Sequence, residues 1–182
     1  MELSGYQVVL NEVTQSDIEL IRQWRNDPNV SQYMLCQDII SQKQQLAWFK
    51  NIQLDTSQQH FVIHYKGLPI GVANIRTCYQ GESLNTARAI EPGLYIANDK
   101  YRNNILAFAP TLLLNDYCFE QLGCQELKAI VKADNTAALN YNAKLGYQIE
   151  KSTENQADVI AITLHKNDYQ QRTVQLKALL SR

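Results

Sequence analysis

The chain has 182 residues, 45% hydrophobic and 19% charged, with a formal net charge of −1. That length suits one domain with its own core, and the near-neutral charge argues against nucleic acid as a partner. No apolar run approaches the roughly 18–20 residues needed to span a bilayer, and the start, MELSGYQVVLNEVT, lacks the basic and apolar regions of a secretory signal. No membrane association and a cytoplasmic location are therefore expected. The cysteines Cys36, Cys78, Cys118 and Cys124 show no C-x-x-C spacing, which favours reduced thiols over a disulfide framework and gives no metal site.

Tyr6 to Glu12 reads as a first strand. Thr14, with Asp17 three residues on, caps a helix carrying Ile18, Ile21 and Trp24 at helical spacing, and Asp27-Pro28 ends it. Ser41-x-x-Gln44 is a second capping box, opening a helix with Leu46, Trp48, Phe49 and Ile52. His60–Tyr65 and Ile70–Thr77 flank a Lys66-Gly67 turn as a hairpin. A polar stretch from Gln80 to Arg88 leads to a strand at Ala89–Ala97, where Pro92-Gly93 predicts a mid-strand bulge. Thr111 to Leu122 reads as an apolar helix stopped by Gly123; Pro110, lacking the N–H that would bond the Leu106 carbonyl, predicts a late or bent start. A strand at Leu127–Lys132 and a helix from Asn135 to Leu145-Gly146 follow. Tyr147–Lys151 and Val159–Lys166 predict a closing antiparallel pair, with residues 167–182 a polar tail, or a short helix from Asp168, after a domain of residues 1–166. The order is that of a mixed α/β (α+β) domain.

Three stretches together resemble the GNAT superfamily of acyl-CoA N-acyltransferases. The first is Trp24-Arg25-Asn26-Asp27-Pro28 with Met34 and Trp48-Phe49. It is similar to the acceptor-side helices of the branch holding bacterial sugar-nucleotide and ribosomal-protein N-terminal acetyltransferases. The second is Glu91-Pro92-Gly93-Leu94-Tyr95-Ile96 followed by Tyr101-Arg102, and the third is Asn135-x-x-Ala138…Lys144-Leu145-Gly146-Tyr147. The third resembles the family's N-x-x-A…K-L-G-F signature and is the most specific. The resemblance covers roughly residues 6 to 166. It implies a mostly antiparallel sheet whose fourth and fifth strands splay into a V, with helices on both faces. Into that V the family lays the pantetheine arm of acetyl-CoA as a surrogate strand, and a backbone N–H holds the thioester carbonyl as an oxyanion hole does.

Carried over residue by residue, the resemblance implies cofactor-binding roles for Leu94, Tyr95, Ile96, Arg102, Asn103, Asn104, Ile105, Leu106, Ala107, Asn135 and Asn142. It implies acceptor contacts from Trp24, Arg25 and Asn26, and Glu91 as the base that takes the amine's proton. The family's leaving-group acid is commonly a tyrosine at the position of Asn142, which cannot donate a proton of useful pKa. The neighbouring Tyr141 lies about 100° around the helix. With Ala138 and Leu145 it forms an apolar stripe, so it reads as core, with a displaced acid as the alternative.

The phosphate loop departs from the family's [RQ]-x-x-G-x-[GA]. Arg102 and Ala107 match, but Ile105 occupies the central glycine position, and a β-branched residue resists φ > 0. Asn103 and Asn104 can partly compensate as turn and cap residues. His60 and His64 share a strand face without an evident third ligand; Lys100 and Lys132 are further bases able to meet phosphate. The expected reaction is transfer of an acyl group, acetyl by default, from acyl-CoA to a small-molecule primary amine such as an amino sugar nucleotide. A protein N-terminus as acceptor, or a non-catalytic binding protein with a degenerate CoA loop, remains the alternative. Oligomeric state is open, with a homodimer among the options.

Overall fold

In a computed structural model, residues 1–102, 104–149 and 158–182 are described. An eight-stranded sheet is their backbone: β1 (Glu2–Gly5), β2 (Val8–Glu12), β3 (Gln58–Tyr65), β4 (Leu68–Thr77), β5 (Ala89–Ile96), β6 (Glu126–Lys132), β7 (Gln148–Ile149) and β8 (Val159–His165). The spatial order is β1-β2-β3-β4-β5-β6-β8-β7. Every pairing is antiparallel except that of β5 with β6.

That one parallel contact sets the site. β5 and β6 pair only at Ala89↔Glu126 and Ile90↔Leu127, and beyond these the strands part. The opening is the V that the resemblance implies between the family's fourth and fifth strands. The expected bulge at Pro92-Gly93 is not seen in the pairing with β4, which runs unshifted from Gly71↔Ile96 to Thr77↔Ile90. The proline instead lies just past the last β6 pair, on a strand with one edge unpaired, the setting that tolerates a missing N–H. The register shift that does occur lies in β3, at Ile63/His64.

Helices cover both faces. On one side α1 (Ile18–Asn26) and α3 (Gln42–Ile52) pack Ile21 and Phe49 onto Val62 and Val72. Both predicted capping boxes form, Thr14 with Asp17 and Ser41 with Gln44. Between them lies a short α2 (Pro28–Ser31), capped by Asp27, whose side chain accepts from the Asn29 N–H at 2.8 Å. The opposite side holds the larger core under α5 (Phe108–Asp116), α6 (Thr136–Leu145) and α7 (Lys166–Leu180), with α4 (Asp99–Arg102) a single turn after β5.

Two elements differ from the sequence reading. The first strand is a hairpin, β1 and β2, turned by Tyr6 and Gln7 at φ 51° and 70°. Positive φ at both residues is the two-residue hairpin geometry, normally marked by Asn or Gly. Here the Tyr6 hydroxyl bonds Asp116 and Gln7 Nε2 donates to the Leu180 carbonyl at 3.2 Å, so tertiary contacts hold the turn. Residues expected as a polar tail or a short helix form most of α7, which buries Tyr169, Thr173 and Leu180. Pro110 acts as predicted: residues Ile105–Ala107 form a 3-10 turn and the regular helix begins at Phe108. Of the expected closing pair, Gln148 and Ile149 pair with β8; Lys151 lies outside the described residues.

Candidate active site

The splay opens a cavity of about 490 Å³. One wall is β5 from Pro92 to Ile96, the other β6 from Ala129 to Lys132; the turn before α5 adds Ala107, α5 adds Thr111, and α6 adds Ala138, Tyr141 and Asn142. It is also lined by α2 and the turn after it, through Asn29, Val30, Tyr33, Met34 and Leu35. The walls are mainly apolar, and β5 brings to them one edge whose backbone has left its ladder. A narrow apolar slot beside unpaired backbone fits an extended arm that hydrogen-bonds like a strand.

Of the residues carried over as cofactor-binding, Leu94, Tyr95, Ile96, Arg102, Ala107, Asn135 and Asn142 meet at this cavity. Asn103 lies outside the described residues. Asn104, Ile105 and Leu106 build the turn beside it. The Asn104 side chain accepts from the Leu106 N–H at 2.9 Å, and its carbonyl accepts from the Ala107 N–H at 3.0 Å. Asn104 is extended, at φ −134°, and Ile105 does not take a positive φ, so the β-branched side chain carries no strain. The asparagine cap thus does locally what glycine does elsewhere, but it spends loop N–H groups on itself. Arg102 supplies the charge at this end, held by Asp99 at 2.8 Å and by the Ile96 carbonyl at 3.1 Å.

Asn135 caps α6, accepting from the Ala138 N–H at 3.0 Å, and Asn142 Nδ2 donates back to the Ala138 carbonyl at 2.9 Å. Gly146 ends the helix at φ 100°. The Tyr141 hydroxyl donates to the Ala107 carbonyl at 3.0 Å and meets Thr111 Oγ1; its ring stacks on Phe108 at 4.4 Å between centroids. Burial pushes its phenol well above the ordinary value. This geometry favours the anchoring role over the displaced acid.

Glu91 is not among the cavity's walls. Both its carboxylate oxygens are engaged by Arg76 across the β4–β5 ladder, at 2.8–3.0 Å. The shift of hydrogen-bonding capacity to a guanidinium leaves it poorly placed to receive a proton from the cavity.

On the acceptor side, Trp24 packs against the smaller core. Arg25 is near enough to act on Tyr95: its charge partly offsets the burial that pushes the Tyr95 phenol well above its ordinary value. Asn26 has a different task. Its amide donates to the Ile40 carbonyl at 2.9 Å and accepts from the Ile40 N–H at 2.8 Å, closing the neck of the segment that carries Tyr33 to Leu35. Sequence reasoning named Met34 but missed Val30, Tyr33 and Leu35, because a segment joining two helices shows no pattern that tells a cavity wall from a connection. His60 bonds Gln58 at 2.8 Å and His64 meets Asn11 at 3.4 Å. No group of three or more His, Cys, Asp or Glu able to hold a metal is found among the described residues.

The Acetyltransferase (GNAT) domain family matches residues 7–148. Acetyltransferase PseH of Campylobacter jejuni is 30% identical over 131 residues, covering 70% of this chain and 74% of that protein. Among solved structures, FdhC, described as a nucleotide-linked sugar GNAT, superposes with a TM-score of 0.78 at 20% identity, covering 100% of this chain and 99% of that one. Spermidine N-acetyltransferase from Vibrio cholerae, in complex with CoA and spermine, superposes at 0.75 with 18% identity, covering 90% of this chain and 98% of that one. A splayed sheet with a cavity at the opening, a family match across most of the chain and a relative at this identity lead to one conclusion: the chain belongs to the GNAT acetyltransferase family.

Proposed function

We propose that this protein acetylates the primary amine of a small molecule, with an amino sugar carried on a nucleotide as the preferred acceptor and acetyl-CoA as donor. The observation that carries the acceptor class is that Val30, Tyr33, Met34 and Leu35, from α2 and the turn after it, line the same cavity as β5. A peptide N-terminus needs an open trough in which several residues of chain can lie. A sugar nucleotide needs an enclosed pocket with an aromatic rim for the base, and Tyr33 offers a ring that is 55% exposed. FdhC, described as a nucleotide-linked sugar GNAT, supports the same class.

Acetyl-CoA would supply the thioester: as the amine nitrogen bonds the acyl carbon the C–S bond breaks, CoA leaves as its thiol, and the proton that balances it is the one the amine gives up. Leu94, Tyr95 and Ile96 offer the unpaired backbone edge along which its arm is held, and Arg102 the cation at the phosphate end. Asn104 fixes the turn that leads into α5, and Tyr141 locks α6 to that turn.

The test pairs two measurements. Calorimetry should show acetyl-CoA binding with Kd on the order of 100 μM, about −5.5 kcal/mol. Mass spectrometry should then show acetylation of a uridine diphosphate-linked amino sugar and none of a free peptide N-terminus. No binding of acetyl-CoA at millimolar concentration would leave a non-catalytic fold; acetylation of the peptide alone would reverse the acceptor assignment.

A further inference from the structure

Where β3, β4 and β5 run side by side, the face packed against α1 and α3 carries three cross-strand rows. They are Val62, Val72 and Tyr95; His60, Asn74 and Gly93; and Gln58, Arg76 and Glu91. Alternate residues of a strand share a face, so the eight side chains point the same way, Gly93 having none. The first row is core apart from the Tyr95 hydroxyl, which is buried and has no hydrogen-bond partner among the described residues. The third row is closed by the Arg76–Glu91 ion pair.

The middle row is built differently. The Asn74 amide lies over the Cα of Gly93: a Cβ added there would stand 2.9 Å from Oδ1 and 3.7 Å from Nδ2. Asn74 is half-buried, and no hydrogen bond to its side chain occurs among the described residues. Gly93 is itself a wall of the cavity, at the middle of the β5 edge. An uncharged amide, itself outside the cavity's lining, thus stands without a partner among the described residues over a residue that does line it. The neighbouring row presents a second unpartnered polar group, the Tyr95 hydroxyl, with the Arg25 charge acting on it.

We propose that Asn74 orients the attacking amine: its Oδ1 accepts one amine N–H over the bare Cα of Gly93. The inference rests on the amine-acceptor reading above. An amine attacks through its lone pair, so its N–H bonds must point away from the thioester carbon, and a fixed acceptor oxygen selects that orientation. A neutral amide does this without favouring the unreactive ammonium form, as a carboxylate at the same position would. Residue 93 must lack a side chain because a methyl would displace the amide from its place.

The Asn74→Ala protein removes an unpartnered group and should fold and melt like the wild type. Its kcat/KM for the uridine diphosphate-linked amino sugar should fall on the order of 10²-fold, while its acetyl-CoA Kd by calorimetry stays within about twofold. Asn74→Asp should fall at least as far, since it holds the amine protonated. Gly93→Ala should lower the same kcat/KM, but in the Asn74→Ala background it should have far less effect, because the group it displaces is already gone. Wild-type kcat/KM in Asn74→Ala, a matching loss of acetyl-CoA affinity, or full additivity of the two substitutions would each overturn the inference alone. A wild-type protein that binds acetyl-CoA yet acetylates neither that sugar nor spermidine would overturn the amine-acceptor reading and this inference with it.

Discussion

The Tyr141 hydroxyl donates to the carbonyl oxygen of Ala107 at 3.0 Å, tying α6 to the turn that opens α5. A hydroxyl has one proton, and this one is committed to Ala107, with Thr111 beside it. Tyr141→Phe should therefore lower stability by about 1–2 kcal/mol, as loss of a buried hydrogen bond does, and change kcat by less than about threefold. Thermal melting and steady-state kinetics check both. A kcat loss of tenfold or more at unchanged melting would make Tyr141 the leaving-group acid.

The turn itself makes a second prediction. Ile105 sits at the start of a 3-10 turn without positive φ, so glycine there relieves no strain. Ile105→Gly should cost up to about 1 kcal/mol through lost backbone restriction and leave the acetyl-CoA Kd unchanged. Arg102→Ala, by contrast, should weaken acetyl-CoA about tenfold by removing the cation at this end of the cavity. Tighter binding by Ile105→Gly, measured by calorimetry, would show that the loop backbone limits affinity.

Glu91 separates two roles that the family position combines. With both oxygens on Arg76, it should behave as half of a partly exposed ion pair. Glu91→Gln should cost about 0–1 kcal/mol of stability and less than about threefold in kcat/KM. A loss near 10²-fold, with the acid limb of the pH profile abolished, is the signature of a base.

His60 gives the fold a pH dependence. Burial against Trp48, with ring centroids 5.1 Å apart, lowers its pKa from 6.5 to about 4, only partly opposed by Asp55. Below about pH 6.5 the unfolded chain binds a proton that the folded chain refuses, so stability is full above that pH and falls between about 6.5 and 4. The loss should be on the order of 2–3 kcal/mol. Urea titrations should give a visibly flatter profile over this window for His60→Phe; an unchanged slope would place the titration elsewhere.

Asp116 joins three elements. It receives Tyr6 of the β1–β2 turn, the Tyr169 hydroxyl at 2.7 Å and Lys177 Nζ at 2.6 Å, the last two from α7. Asp116→Ala should cost about 2–4 kcal/mol, because it leaves a half-buried ammonium and the Tyr6 phenol short of their acceptor, while Tyr169 keeps the Leu112 carbonyl. Hydrogen exchange should show α7 loosened first; uniform loss of protection would mean that α7 does not depend on this anchor.

What the sequence determined by itself is local. The capping boxes at Thr14 and Ser41, the Lys66-Gly67 hairpin, the late start forced by Pro110 and the Asn135-to-Gly146 helix were all legible, because each follows from a few neighbouring residues and their backbone preferences. The family was legible through the same short stretches. What only the tertiary structure decided depends on residues far apart in the chain. The Tyr6-Gln7 turn has no turn residues of its own and is held from Asp116 and Leu180. The polar-looking C-terminal segment is a helix because Tyr169 finds Leu112 and Asp116 beneath it. The mid-strand proline marks where β5 parts from β6, which cannot be told from a bulge until both strands are placed. That Arg76 is the partner of Glu91 is fixed only by the β4–β5 register, and Asn74 carried no signal at all until the ladder set its amide over Gly93. Cross-strand neighbours are fixed by register, and register is a property of the folded sheet.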